Sequence, residues 1–165
     1  TLVMMIDVER VLAETTDIDD AFQYVNIEPV HESRMVFFAD DSAVARKQIE
    51  KTLEAMHVSY AYAINGSRAW EELSRMAMQC EANGSVLRDA LHLILTDVEM
   101  PEMDGFMLTR KVKGDSRFAG IPVLMHSSLS GSSNQQLGQS VGVDDYVSKF
   151  EPQKLSLKIR ELLKL

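Results

Sequence analysis

Five short apolar runs recur along the chain, and each stops at a polar residue. Met35-Val-Phe-Phe-Ala39 ends at Asp40-Asp41, and Tyr60-Ala-Tyr-Ala-Ile64 ends at Asn65-Gly66. Leu91-His-Leu-Ile-Leu-Thr96 ends at Asp97, Pro122-Val-Leu-Met-His126 at Ser127, and Asp145-Tyr-Val-Ser148 at Lys149. Runs of this length bounded by turn residues read as strands. Between them the apolar spacing changes to that of a helix. Ser42 can cap a helix carrying Ala45, Ile49, Leu53 and Met56, and Asn65-Gly66 leads into one carrying Ala69, Leu73 and Met76. Gly105 opens a helix with Phe106, Leu108 and Val112. Asn134 to Gly142 has only Leu137 and Val141 as apolar anchors. Pro152 suits a first helical position, with Leu155, Ile159 and Leu162 behind it. Glu99 to Gly105 and Ser127 to Ser133 read as loops, and Gln79 to Asp89, with Asn83-Gly84, as a helix extension or an inserted loop. Strands alternating with helices predict an α/β domain with a parallel sheet.

That alternation occupies residues 34–165. Ahead of it, Leu2-Val-Met-Met-Ile6 and Val8-Glu-Arg-Val-Leu-Ala13 read as the last strand and helix of a preceding domain, residues 1–16. Residues 17–33 are acidic, without clear periodicity, and read as a linker. The chain opens on Thr1, as expected for a piece of something longer. Charge sharpens this division. Residues 1–33 hold eight acids against Arg10 alone, whereas residues 34–165 hold 17 acids against 16 bases. No basic field is present to attract nucleic acid. Cys80 is the single cysteine, which builds neither an internal disulfide nor a zinc site and fits a half-buried place in a helix of a cytoplasmic protein. No apolar run approaches ~20 residues, so no membrane insertion is expected, and no signal-peptide pattern is present.

In an open parallel sheet, sites form in the crevice beyond the carboxyl ends of the strands. The polar residues that close the runs would meet there: Asp40, Asp41, Asp97, Ser127 and Lys149. Converging carboxylates raise one another's pKa unless a cation offsets them. Mg²⁺ suits two adjacent acids and a third from a neighbouring strand, since it binds through one or two carboxylates, waters and phosphate oxygens. Asp97 could then attack phosphorus as a carboxylate nucleophile, with Lys149 and the metal neutralising the phosphoryl oxygens. Ser127 would offer a hydroxyl, and a bound phosphoryl group would pull its loop inward. Taken singly, each residue has an ordinary explanation: a cap, a solvated charge or, for Tyr146, a half-buried aromatic. Their joint order is what points to a site. His31, His57, His92 and His126 lack metal-ligand spacing, and the ten methionines read as core filling.

With these residues in view, the chain resembles a response-regulator receiver domain. The resemblance rests on Phe-Ala-Asp40-Asp41-Ser, Leu-Thr-Asp97-Val-Glu-Met-Pro-Glu-Met-Asp-Gly105, Val-Leu-Met-His-Ser127-Ser and Asp-Asp-Tyr146-Val-Ser-Lys149. It implies a flavodoxin-like, doubly wound five-stranded sheet of order 2-1-3-4-5 with helices on both faces. It also implies Asp97 as phosphoacceptor from a histidine kinase, and Asp41 as direct Mg²⁺ ligand (Mn²⁺ possible in its place). Asp40 would reach the metal through water, and the main-chain carbonyl of Glu99 would be a further ligand. Ser127 and Tyr146 would be the switch residues and Lys149 the phosphate partner. Such a domain carries out phosphotransfer and weak autodephosphorylation on itself and is no conventional enzyme. Met-Met-Ile-Asp7-Val-Glu-Arg-Val-Leu resembles the end of a CheW-like coupling domain, an arrangement found in CheV-type chemotaxis proteins, which would imply the kinase CheA and the chemoreceptor array as partners. Three departures stand out. Phe150 follows Lys149 where most receivers have proline after a cis peptide, a geometry costing ~2.5–4 kcal/mol without proline. The stretch before Asp97 is longer than usual around 79–89, and Glu99 adds a carboxylate beside the site. Phe150 also admits a pseudo-receiver, the same fold serving as a constitutive interaction or dimerisation module. A haloacid-dehalogenase-type phosphatase would need an Asp at the position Glu99 holds.

Overall fold

A computed structural model of the chain describes residues 24–128 and 132–165. The segment resembling a coupling-domain remnant, residues 1–16, lies outside the described residues, as does the middle of the Ser127–Ser133 loop. Five strands form one parallel sheet: β1 (Met35–Ala39), β2 (Ser59–Ala63), β3 (Leu93–Asp97), β4 (Val123–Ser127) and β5 (Asp145–Ser148). Their spatial order is β2-β1-β3-β4-β5, as the resemblance implies. The helices are α1 (Ala43–Ala55), α2 (Gly66–Ala82), a short α3 (Leu87–Ala90), α4 (Gly105–Lys113), α5 (Ser132–Val141) and α6 (Pro152–Leu162). A 3₁₀ turn at Ser116–Phe118 leads towards β4.

The central strands are apolar throughout because both faces of the sheet are covered. Val36, Phe38, Leu93, Leu95, Leu124 and Val147 meet Ile49 and Leu53 of α1 and Leu155 and Ile159 of α6. Phe37, Ala39, Ile94 and Val123 meet Leu73 of α2 and Leu108 and Val112 of α4 on the other side. Local chemistry sets the helix starts. Ser42 Oγ accepts from the Ala45 amide at 3.2 Å, Asn65 Oδ1 from the Arg68 amide at 2.8 Å, and Asp104 Oδ1 from the Met107 amide at 2.8 Å.

Several expectations are refined by packing. The 79–89 excess is both alternatives at once: α2 runs on to Ala82, turns at Asn83-Gly84, and returns through α3, whose Leu87 is buried. Cys80 sits half-buried on that extension. Leu137 does not anchor α5 but is 46 % exposed. Gly138 instead lies against Val143 and Met125, so the helix sits close and presents Val141 to the interior. His92 precedes β3 rather than joining it, and its Nδ1 accepts the Met35 amide at 2.9 Å. The segment read as a linker is described from Tyr24, where Ile27 and Val30 join the core and the Val30 amide donates to the Met56 carbonyl at 2.7 Å.

α4 begins hard against the end of β3. A Cβ on Gly105 would lie 2.0 Å from the Asp97 carbonyl oxygen, while the Gly105 amide donates to the Val98 carbonyl at 2.9 Å. Glycine is required here for close approach, not for turn geometry. Gly105→Ala is expected to lower stability by ~1–3 kcal/mol through overpacking, with Asp97 displaced; denaturant unfolding of the variant measures the loss.

Candidate functional site

Strand register assembles the site. Ala39 pairs with Thr96 and Asp97 pairs with His126, so Asp40, Asp97 and His126 fall in one row across the sheet. Residues two positions earlier, Phe38, Leu95 and Leu124, face α1 and α6, and this row continues on the same face. Asp40 is fully buried, Asp97 is 3 % exposed, and Asp41 is exposed at the rim. Carboxylate oxygens of Asp40, Asp41 and Asp97 lie within 4.8 Å of one another.

One cation sits among them. Lys149 Nζ is 2.9 Å from Asp40 Oδ2 and 3.1 Å from Asp97 Oδ1. Its backbone is fixed by the Lys149 amide donating to the Ser127 carbonyl at 2.9 Å, which extends the β4–β5 pairing one step beyond the strands. Burial works against the Lys149 charge, yet Asp40 and Asp97 outweigh it and hold the ammonium above its ordinary range. Asp97 is pushed up to about 7, first by burial and then by repulsion from Asp40, with Lys149 opposing. Asp40 is tied down further: its Oδ1 accepts the Ser42 amide at 2.9 Å, and Arg46 Nη1 donates to its carbonyl at 3.0 Å.

The remaining expected residues surround this core. Ser127 is buried at the end of β4, one position past the Asp40–Asp97–His126 row. Tyr146 is half-buried on β5 beside Met125. Glu99 is exposed and borders an open groove with Asp41, Asp104 and Phe106. The structure thus gathers Asp40, Asp41 and Asp97 at one point and places Lys149 on Asp40 and Asp97, with Ser127 adjacent by register. Phe150 is exposed and adopts φ +66°, a left-handed conformation that costs a side-chain-bearing residue ~1–2 kcal/mol. No peptide bond among the described residues is cis.

Two contributors lie beyond the residues the sequence pattern singles out. Arg46 reaches the site through a main-chain carbonyl, which no side-chain pattern reveals. His126, read as an ordinary strand residue, places Nε2 3.4 Å from Asp40 Oδ2, and burial with the nearby Lys149 charge pushes its pKa down to about 3. Its signal was present: an ionisable residue closing the run Val-Leu-Met directly before Ser127.

The donor set fits a small hard dication. Asp40 Oδ2 is buried without a well-aligned hydrogen bond, and three carboxylates face a common point where one ammonium is their counter-charge. The class defined is a doubly wound parallel sheet with an acidic crevice at the carboxyl ends of its strands. The sequence matches the response regulator receiver domain over residues 36–160, and the chain belongs to that family. It is 30% identical to chemotaxis protein CheV1 of Helicobacter pylori across 99% of this chain and 50% of that protein. It is 34% identical to chemotaxis protein CheY1 of the same organism across 75% of this chain and 92% of that protein. The chain therefore spans about half the length of the CheV relatives it matches. Among solved structures, the receiver domain of the histidine kinase CKI1 from Arabidopsis thaliana aligns at TM-score 0.71 and 25% identity, covering 89% of this chain and 95% of that one. Chemotaxis protein CheY4 of Vibrio cholerae aligns at 0.64 and 23%, covering 79% and 99%.

The raised Asp97 pKa has a consequence for stability without metal. The folded form keeps a proton that the unfolded chain releases near 3.8, so folded protein binds more protons between about 4 and 7. That contribution is lost as pH rises through this window. Asp97→Asn removes it, so the variant's Tm relative to wild type is expected to climb from pH 4 to pH 7 and then level off. Thermal unfolding in chelator across this range checks the sign.

Proposed function

We propose that this chain is the receiver part of a CheV-type chemotaxis coupling protein, a phosphorylation-controlled module that accepts a phosphoryl group on Asp97 from a histidine kinase. The observation that carries this reading is Lys149 Nζ, held between Asp40 and Asp97 with Asp41 alongside. A carboxylate nucleophile, a partner ammonium and a cation-binding acid pair are what phosphoryl transfer to aspartate needs. The match to CheV1 along 99% of the chain, against 75% for CheY1, supports the CheV assignment over a free-standing receiver. It also supports reading residues 1–16 as the end of a coupling domain.

Asp41, Asp97 and the Glu99 main-chain carbonyl would hold Mg²⁺ directly, with Asp40 acting through water. The ion would supply charge neutralisation for the phosphoryl oxygens. The carboxylate of Asp97 attacks phosphorus in line, forming the P–O bond as the P–N bond to the donor histidine breaks. Lys149 exchanges its carboxylate contacts for a phosphoryl oxygen, and Ser127 Oγ–H donates to another. Lys149 and Ser127 are also joined through their main chains, the Lys149 amide donating to the Ser127 carbonyl. Tyr146 on β5 would register that shift. The output surface would comprise α6, β5 and the loop after Ser127, with Leu157 exposed on α6 and Phe150 exposed between β5 and α6. The partners in this reading are the kinase CheA and the chemoreceptor array, in the cytoplasm; among the described residues no helix is long and apolar enough to cross a membrane.

Incubation with acetyl phosphate and Mg²⁺ followed by intact-mass measurement is expected to add one phosphoryl group. Asp97→Asn and a chelated control should add none. Absence of gain in wild type, with Mg²⁺ binding demonstrated, would favour the constitutive interaction module instead. Glu99 stands two residues from Asp97 and shares a groove with Asp41, and Glu99→Ala is expected to change the dephosphorylation rate several-fold by altering how water approaches. Loss of label over time in both proteins measures it.

A further inference from the structure

His126 sits at the floor of the site, buried between α1 and α6, and no step described so far uses it. It is 3 % exposed, and its Nε2 has no hydrogen-bond partner among the described residues. The atom facing it, Asp40 Oδ2, likewise lacks an aligned donor, although Lys149 Nζ stands 2.9 Å away. Two buried polar atoms thus confront each other at 3.4 Å, just beyond the ordinary N–H···O distance of ~2.9 Å. Beside the imidazole lies a narrow cavity of about 20 Å³, lined by Ala45, Gln48 and Thr52 of α1 and by Lys149 and Leu155. Closing the gap to Asp40 takes a shift of about 0.5 Å, the difference between the observed and ordinary distances.

The need for that shift comes from Lys149, whose single ammonium serves both Asp40 and Asp97. An anionic group on Asp97 draws the ammonium towards itself and away from Asp40. A buried carboxylate oxygen cannot lose its partner without replacement. Besides a metal-bound water, His126 Nε2, 3.4 Å away, is a group of the protein that can take that place.

We propose that His126 is a positioning residue for Asp40, whose Nε2–H becomes the donor to Asp40 Oδ2 when Lys149 turns to an anionic group on Asp97. This rests on the phosphoacceptor reading of Asp97. A neutral imidazole suits the role, carrying one N–H for Asp40 and adding no charge to compete with Lys149 for the phosphoryl oxygens. In the resting state Lys149 serves Asp40, so the contribution of His126 is confined to the loaded state.

Beryllofluoride with Mg²⁺, a stable mimic of an aspartyl phosphoryl group, allows a test on the full chain. The side-chain amide of His126→Gln keeps a donor near the Nε2 position, whereas His126→Leu fills the space without one. Beryllofluoride affinity by calorimetry is expected to weaken about tenfold in the Leu variant, the effect of losing a hydrogen bond to a charged group. The Gln variant should stay within about twofold of wild type on the same reasoning. A packing role predicts the reverse order, since leucine suits a buried apolar site better than glutamine. Leu binding as tightly as wild type, or Gln as weakly as Leu, would overturn the proposal. As a second measurement independent of the variants' folding, ¹⁵N-histidine spectra of wild type should gain a slowly exchanging Nε2–H signal on loading. Loading seen in backbone amide shifts without that signal also overturns it. Failure of wild type to bind beryllofluoride would instead bring down the phosphoacceptor reading, and this inference with it.

Discussion

A single buried ammonium shared by two buried carboxylates is the interaction on which this structure turns. Asp40 and Asp97 stand at the ends of adjacent strands, and without Lys149 their proximity would force a proton onto one of them. Even with it, Asp97 lies far above the usual carboxylate range. The fold sustains this arrangement because each participant is fixed by its backbone. Asp40 is held at the start of α1 by the Ser42 amide and Arg46, Asp97 abuts Gly105, and Lys149 is tied to Ser127. The site is poised for a cation because the protein supplies one ammonium where three acids converge.

Much of this was legible in the sequence, for a definite reason. In a parallel sheet covered on both faces, strands are short apolar runs, and polar residues at their carboxyl ends have only the crevice to occupy. Asp40, Asp41, Asp97 and Lys149 are visible on that ground alone. What was not legible depends on contacts between distant segments. Leu137 satisfies a helical pattern, but close approach at Gly138 turns it outward. The residues around 79–89 carry both a helical and a turn signal, and the burial of Leu87 resolves them into helix, turn and helix. His126 obeys the rule for a strand interior in every respect except its chemistry. Its relation to Asp40 needs the register of two strand pairs, which periodicity does not supply.

The receiver family accounts for the shared parts of the chain, and the departures give it its own character. Phe150 holds the turn after Lys149 with a left-handed backbone and an exposed ring. It places an exposed aromatic ring one residue from the lysine that bridges the acids. The extended α2 works at the opposite face. Arg117, leading into β4, pairs with Asp115 and reaches Glu81 on the extension, so the added segment is stitched to the domain rather than hung from it.

Trp70 is the chain's one tryptophan, and its place decides what light emitted from this protein can reveal. It packs on Phe118 at 5.7 Å and lies beneath Lys111 in the last turn of α4. The other end of that nine-residue helix is Gly105, pressed on the Asp97 carbonyl. The fluorophore is therefore a remote gauge at the far end of a short rod. An ion settling among the acids without moving α4 would leave its spectrum unchanged, whereas a shift of the Asp97 backbone would be read out optically through the helix.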